Sequence, residues 1–412
     1  MTFDPATMDG PALAGTGFEE SVASTGQDLS DAFNDVLDGI HGGPHGPQNL
    51  ARTLGLDKVL TSRLLKAVRN HDPVAVVHHI PGPEPLRRLL RAARKRGADN
   101  NAITAGEDAV ERFEKLIRQE AGDRSSLGAI ISAWLPEARE EFELRRKQSA
   151  YKAMSQLKGV SAEMSFSAAF LHPSETDDER VDTAWLLGTF GLQRLRPNVE
   201  AKFATRKLDS AHRARHPLSI AGESAEALDH QRLDQFCFAP PAPLEVERVG
   251  ECVHYMLGES GFGPKSAVDV ILAEVNRGEL SRCVEQEAGR RDWYYADIAT
   301  PCKRMQFDVF VHRDLCAGSE PELFVYDTAI NGIADVNDCS RDADRLDTAE
   351  KIQAIGHGVG KLRTAEIPNY VELIRHVFGQ LGWNADEYRG YRCRIEYPIY
   401  GSQVCMAFGA PH

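Results

Sequence analysis

The first 236 residues of this 412-residue chain contain no cysteine. All eight (Cys237, Cys252, Cys283, Cys302, Cys316, Cys339, Cys393, Cys405) lie beyond them, and the closest pair is 12 positions apart. That spacing excludes CxxC redox motifs and zinc knuckles, and leaves small, buried, free thiols as the expectation. No run of about 18 apolar residues is present, which excludes an ordinary membrane-spanning helix. The opening stretch, MTFDPATMDGPALAGTGFEES, is acidic and has neither a basic n-region nor an apolar h-region. A secretory leader is therefore not expected, and the chain reads as cytoplasmic. Catalytic signatures are equally scarce: GxGxxG after a strand, HExxH and GxSxG are all missing. GHGVGKLRT (356–364) is no phosphate loop, because position 355 is not Gly and Leu362 follows Lys361. There is no internal repeat.

What is present is a soluble globular composition, 42% hydrophobic and 26% charged, long enough for two or three domains. The net charge of −13 is unevenly spread. From Pro47 to Lys158, 21 Lys and Arg outnumber 14 Asp and Glu by 7, so the rest of the chain carries −20. A basic block joined to an acidic body suits a protein in which one part meets phosphates and the other does not.

Residues 1–26 lack apolar periodicity and read as a disordered tail. A helix is expected from Asp28 to Ile40, with Leu29, Phe33, Val36, Leu37 and Ile40 on one face. The informative stretch is PQNLARTLGLDKVLTSRLLKAV (47–68). Leu50, Ala51 and Leu54 form an apolar face, Gly55 allows a sharp left-handed turn, and Asp57 is a competent N-cap for a second helix. Beyond it, HDPVAVVHHIPGPEP reads as a small β-element or an extended linker. Helices are expected at Glu84–Gly97, Ala105–Glu120 and Leu135–Leu157, the last a candidate dimer or inter-domain helix. The arginines of the first fit either a solvated face or a phosphate-contacting one.

From about residue 159 the pattern becomes mixed. VSAEMSFSAAFLH, MQFDVFVHRDL and ELFVYDTAI alternate as strands, PLEVERVGECVHYML as a strand or strand pair, and YRCRIEYPIYGSQVCMAFG as two more. RVDTAWLLGTFGLQRLRPN fits strand or helix. Residues 206–232 read as a polar surface loop, PKSAVDVILAEVNR as an amphipathic helix, and Tyr370–Leu381 as a helix ended by Gly382. The fold class is α+β: a disordered tail (1–26), a helical domain (27–158) and a mixed body (159–412) with a possible sub-boundary near 206–235. In that body, His312 and Asp314 share a strand face and could couple a base to an orienter, but no third ligand stands at a recognisable spacing. The aromatic residues Trp293, Tyr294, Tyr295, Tyr326, Tyr391 and Tyr397 could line a pocket. No catalytic residue, cofactor or metal site is assigned.

LARTLGLDKVLTSRLLK (50–66) resembles the helix-turn-helix core of bacterial, repressor-like transcription regulators. The resemblance covers about 20 residues, and nothing in the rest of the chain resembles a known family. It implies a three-helix DNA-binding unit whose second motif helix enters the major groove. Carried over position by position, Lys58, Thr61, Ser62 and Arg63 would face bases or phosphates, Lys66 the backbone, and Gln48 a phosphate near the first helix. Thr61 departs from the family, which places a branched apolar residue there. Leu60 and Leu64 would then pack the helix, rotating it slightly. The expectation is a regulator of double-stranded DNA, acting as a homodimer, with a C-terminal body for a small-molecule effector or oligomerisation and no membrane partner. Two other readings stay open: a non-catalytic interaction protein with a degenerate motif, or a small-molecule-binding enzyme with a helical scaffold.

Overall fold

A computed structural model describes residues 14–40, 46–207, 218–223, 231–239, 243–250, 252–259, 261–281, 290–316, 319–367 and 369–409. The chain divides into two compact units, Met1–Glu143 and Leu144–His412. The first is helical and the second rich in strands, so the architecture is α+β. No helix among the described residues is long and apolar enough to cross a membrane.

In unit 1, α1 (Ala14–Asp38) is followed by α2 (Pro47–Leu54), α3 (Lys58–Val68), α4 (Pro73–His79), α5 (Pro83–Lys95), α6 (Asn100–Lys115), α7 (Arg124–Ser132) and the start of α8 (Pro136–Lys158). The stretch expected to be disordered up to residue 26 is helical from Ala14, and Val22 is fully buried in the core. Its small and polar residues hid a helix that tertiary packing stabilises. The supposed β-element or linker after Val68 is α4. Asp72 caps it by accepting from the Val74 N–H at 2.9 Å, and Pro73 takes the first turn, where no N–H is needed. Aspartates at 57, 99 and 123 cap α3, α6 and α7 in the same way. One continuous core joins Leu29, Phe33 and Val36 of α1 to Leu50, Leu64, Val76, Leu89 and Phe113.

In unit 2, six strands form a sheet in the order β10-β11-β8-β1-β2-β6. They are β1 (Val160–Pro173), β2 (Arg180–Arg194), β6 (Val268–Ser281), β8 (Cys302–His312), β10 (Ile352–His357) and β11 (Tyr388–Glu396). β1 and β8 run parallel, and every other pair is antiparallel. One face carries α9 (Tyr370–Leu381), whose Ile374, Val377 and Phe378 pack with Phe166, Phe170 and Phe310. Gly188 makes this face possible. A Cβ there would lie 1.7 Å from the Phe166 ring, so only hydrogen fits. Across the other face lie two three-stranded sheets. One has the order β7-β12-β9, from β7 (Asp292–Asp297), β12 (Ser402–Phe408) and β9 (Pro321–Asp327); the other has β3-β5-β4, from β3 (Ala201–Lys207), β5 (Cys252–Leu257) and β4 (Leu244–Val249).

The segment 264–277, expected to be a helix, is mostly β6. Val268 to Ala273 are all buried, because the strand is covered on both faces. Such a strand reads as a nearly continuous apolar run, interrupted here only by Asp269, whose buried carboxylate accepts backbone N–H bonds, and periodicity alone does not separate it from a helix. The possible boundary near 206–235 does not divide unit 2, since Leu218 and Arg232 both bridge onto β6. Much of the loop expected at 206–232 lies outside the described residues. Cys302, Cys393 and Cys405 are buried free thiols, and burial pushes each up to about 12.

Candidate nucleic-acid interface

The turn between α2 and α3 is fixed by its backbone. Gly55 takes φ 67°, ψ 37°, a left-handed conformation that costs a side-chain-bearing residue about 1–2 kcal/mol. This lets the Leu56 N–H reach the Ala51 carbonyl at 2.9 Å, closing α2. Leu50, Ala51 and Leu54 are buried beneath it, and Asp57 opens α3 by accepting from Val59 and Leu60.

Thr61 corrects one expectation. It is fully buried, and its hydroxyl donates to the Pro47 carbonyl at 2.8 Å. Its methyl occupies the packing position that the resemblance assigns to a branched apolar residue, while its hydroxyl caps a carbonyl of the neighbouring helix. Thr61 therefore holds α3 against α2 and does not reach a ligand, and α3 needs no rotation. Gln48, Lys58, Ser62, Arg63 and Lys66 are all exposed. On α3, positions 58, 59, 62, 63 and 66 form one solvent-facing stripe. Val59, which the sequence reading passed over, sits on it at 66% exposure. Arg52 on α2 and Arg69 just past α3 are also exposed. The missed signal was spacing: Val59 precedes Ser62 and Arg63 by one helical turn.

The two basic helices of unit 1 differ in their partners. On α5, Arg87 pairs with Glu114, Arg91 with Glu84 at 2.7 Å, and Arg94 with Glu107 at 3.0 Å. Among the described residues, Lys58, Arg63 and Lys66 have no carboxylate within ion-pair distance. Positive charge on α3 is thus available to an external anion, whereas on α5 Arg87, Arg91 and Arg94 are neutralised within the fold and only Arg88 and Lys95 remain exposed without a carboxylate among the described residues.

The second candidate centre dissolves on inspection. His312 is only 6% exposed, with Nδ1 3.5 Å from Asp314 and Nε2 3.5 Å from Glu387. It packs edge-on against His172, whose Nδ1 lies 2.6 Å from the Tyr388 hydroxyl and whose ring stacks on Trp383. Trp293, Tyr294 and Tyr295 are on β7, in a different sheet from His312 on β8. The chemistry-bearing pair and the aromatic group are not brought together.

Unit 2 instead holds a cavity of about 240 Å³ between β2–β6 and the smaller sheets. Trp185, Tyr255 and Tyr295 supply aromatic walls, and Glu274, Glu279 and Asp297 supply carboxyl groups. No basic side chain lines it among the described residues. Burial raises the Asp297 carboxyl above its usual range and pushes the Tyr295 phenol up to about 12. Asn276, 4% exposed, donates to Glu274 at 3.4 Å and leaves its own Oδ1 without a hydrogen-bond partner. A cavity with aromatic walls, several carboxyl groups and an unsatisfied acceptor suits a small polar molecule. Six strands contribute to it, so no local motif announced it.

No family model, curated protein or solved structure matches the chain.

Proposed function

We propose that this protein is a regulator that binds double-stranded DNA by laying α3 in the major groove. The observation that carries the reading is the stripe of three uncompensated cations beyond a closed α2–α3 turn. Lys58, Arg63 and Lys66 would contact phosphates or guanine edges, Ser62 either, and Val59 a thymine methyl. Gln48 at the start of α2 would hold a phosphate. A homodimer would place two α3 helices one turn of DNA apart, and the cavity of unit 2 would take the effector.

The test is fluorescence anisotropy of the full chain on duplex DNA at several salt concentrations. Wild type should show affinity that falls steeply with salt. Lys58→Ala and Arg63→Ala should each lower the slope by about one unit, since each lost phosphate contact releases about one fewer counterion. Absence of binding at low salt sinks the reading. It would leave α3, with its exposed Val59, as a protein-docking helix.

A further inference from the structure

The last turn of α4 ends in two adjacent histidines, His78 and His79, whose ring centroids are 4.8 Å apart and inclined at 67°. Glu141, in the first turns of α8, reaches toward them, with a carboxylate oxygen 3.7 Å from His78 Nε2. One donor atom from each of the three residues lies within 4.8 Å of the other two. No other such trio of potential ligands occurs among the described residues. None of the three residues belongs to the α3 stripe or lines the unit 2 cavity.

We propose that His78, His79 and Glu141 form a zinc-binding site in unit 1. Two imidazoles and one carboxylate are the borderline ligand set that zinc takes, with a fourth position left to water. Zinc–nitrogen and zinc–oxygen bonds of about 2.0–2.2 Å put tetrahedral ligands roughly 3.4 Å apart. The His78–Glu141 separation of 3.7 Å is already near that spacing. The wider gaps close by rotation of His79 and of Glu141, whose side chain is 41% exposed and so has room to move. Each ligand atom would be brought inward by about an ångström or less.

The surroundings support the first ligand and set the charge. Arg124 Nη2 donates to the carbonyls of Val77 at 2.8 Å and His78 at 3.0 Å, and its guanidinium lies over the Phe113 ring. It thus pins the carbonyl end of α4 and fixes the backbone that carries both histidines, much as outer partners orient metal ligands elsewhere. Its positive charge opposes a cation, and the Glu141 carboxylate offsets it. That balance favours a metal bound through strong nitrogen donors and disfavours calcium or magnesium, which depend on several anionic oxygens.

Full-length protein stripped of metal by chelation and dialysis is titrated with Zn²⁺ by calorimetry, and with Co²⁺ by visible absorption. One Zn²⁺ per chain is expected, together with the intense d–d bands of four-coordinate cobalt. Mg²⁺ and Ca²⁺ should give no heat. His79→Ala and Glu141→Gln should each weaken zinc binding at least about tenfold, with helical content unchanged by circular dichroism. His71→Ala, an exposed histidine on the loop before α4, should bind as wild type. The proposal is overturned if wild type binds no stoichiometric zinc, or if His79→Ala and Glu141→Gln bind it undiminished. The readout needs no DNA, so its failure and a failure of the DNA-binding reading are separate results.

Discussion

The two units treat charge in opposite ways. Unit 1 carries it outside, where α3 leaves its cations open and α5 pairs Arg87, Arg91 and Arg94 in partly exposed bridges. Unit 2 takes charge inside. Arg392, 3% exposed, grips the fully buried Asp308 through two bonds of 2.8 and 2.6 Å, and Tyr370 donates to the same carboxylate at 2.6 Å. Asp182, 1% exposed, accepts from Arg277 and from the Gly278 N–H. A surface cation keeps its hydration and waits for a partner. A buried one has lost its water and is useful only where its geometry is complete. The comparison teaches that local charge counts mislead: part of the +7 block is already paired within the fold, and the acidic body uses part of its charge as internal scaffolding.

The sharpest way to break the contrast is to remove one side of the buried pair. Asp308→Ala should cost about 3–5 kcal/mol, because it strands the Arg392 guanidinium in the core. Urea unfolding reads the loss, and a change within 1 kcal/mol would mean that the network does not hold the sheet to α9. The double variant Asp308→Leu/Arg392→Met should recover much of it.

A smaller effect is expected from pH. Burial, then the neighbouring His312, lowers the His172 pKa below its ordinary value, with Arg277 adding to the shift and Asp182 and Glu175 opposing it. The unfolded chain therefore takes up a proton near pH 6.5, where the folded chain does not. Folding stability should fall as pH drops below about 6.5, and His172→Gln should flatten that fall in thermal melts. A wild-type profile unchanged between neutral and mildly acid pH would remove the His172–His312 contact as the cause.

The smallest effect belongs to α5. Arg94→Ala breaks an exposed bridge to Glu107 and should change stability by about 0–1 kcal/mol. It should leave the DNA salt slope as in wild type, in contrast to Arg63→Ala. Equal slopes for the two variants would erase the distinction between the helices.

Much of this organisation was legible in advance. The α2–α3 turn announced itself through Gly55 and Asp57, because turn and cap chemistry is local. The alternating strands β1, β8 and β9 were equally plain, as was α9 with Gly382 at its end. Failures came where tertiary packing outweighs local pattern. β6 was read as a helix because burial on both faces erases alternation. α4 was missed because its valines outweighed the Asp72-Pro73 start signal. Thr61 was misassigned because a polar residue was assumed to face outward, although its hydroxyl is satisfied by Pro47. The cavity and the His78–His79–Glu141 trio join residues distant in sequence, and no window along the chain contains them.

The parallel pairing of β1 with β8 has a consequence for how the molecule is made. Unit 1 ends at residue 143 and α1 packs on α4 and α6 within it, so all of its helices are available to fold together once residue 143 clears the ribosome. β1 is synthesised immediately afterwards, but its Phe166 and Phe170 face lacks α9, and one edge lacks β8, until residues 302–312 and 370–381 appear. At about 5–20 residues per second, that apolar strand waits on the order of ten seconds with β2 as its first companion. Synthesis order thus gives the chain a folded, charged head while its sheet is still incomplete, and the interval before β8 arrives is when a chaperone would matter most.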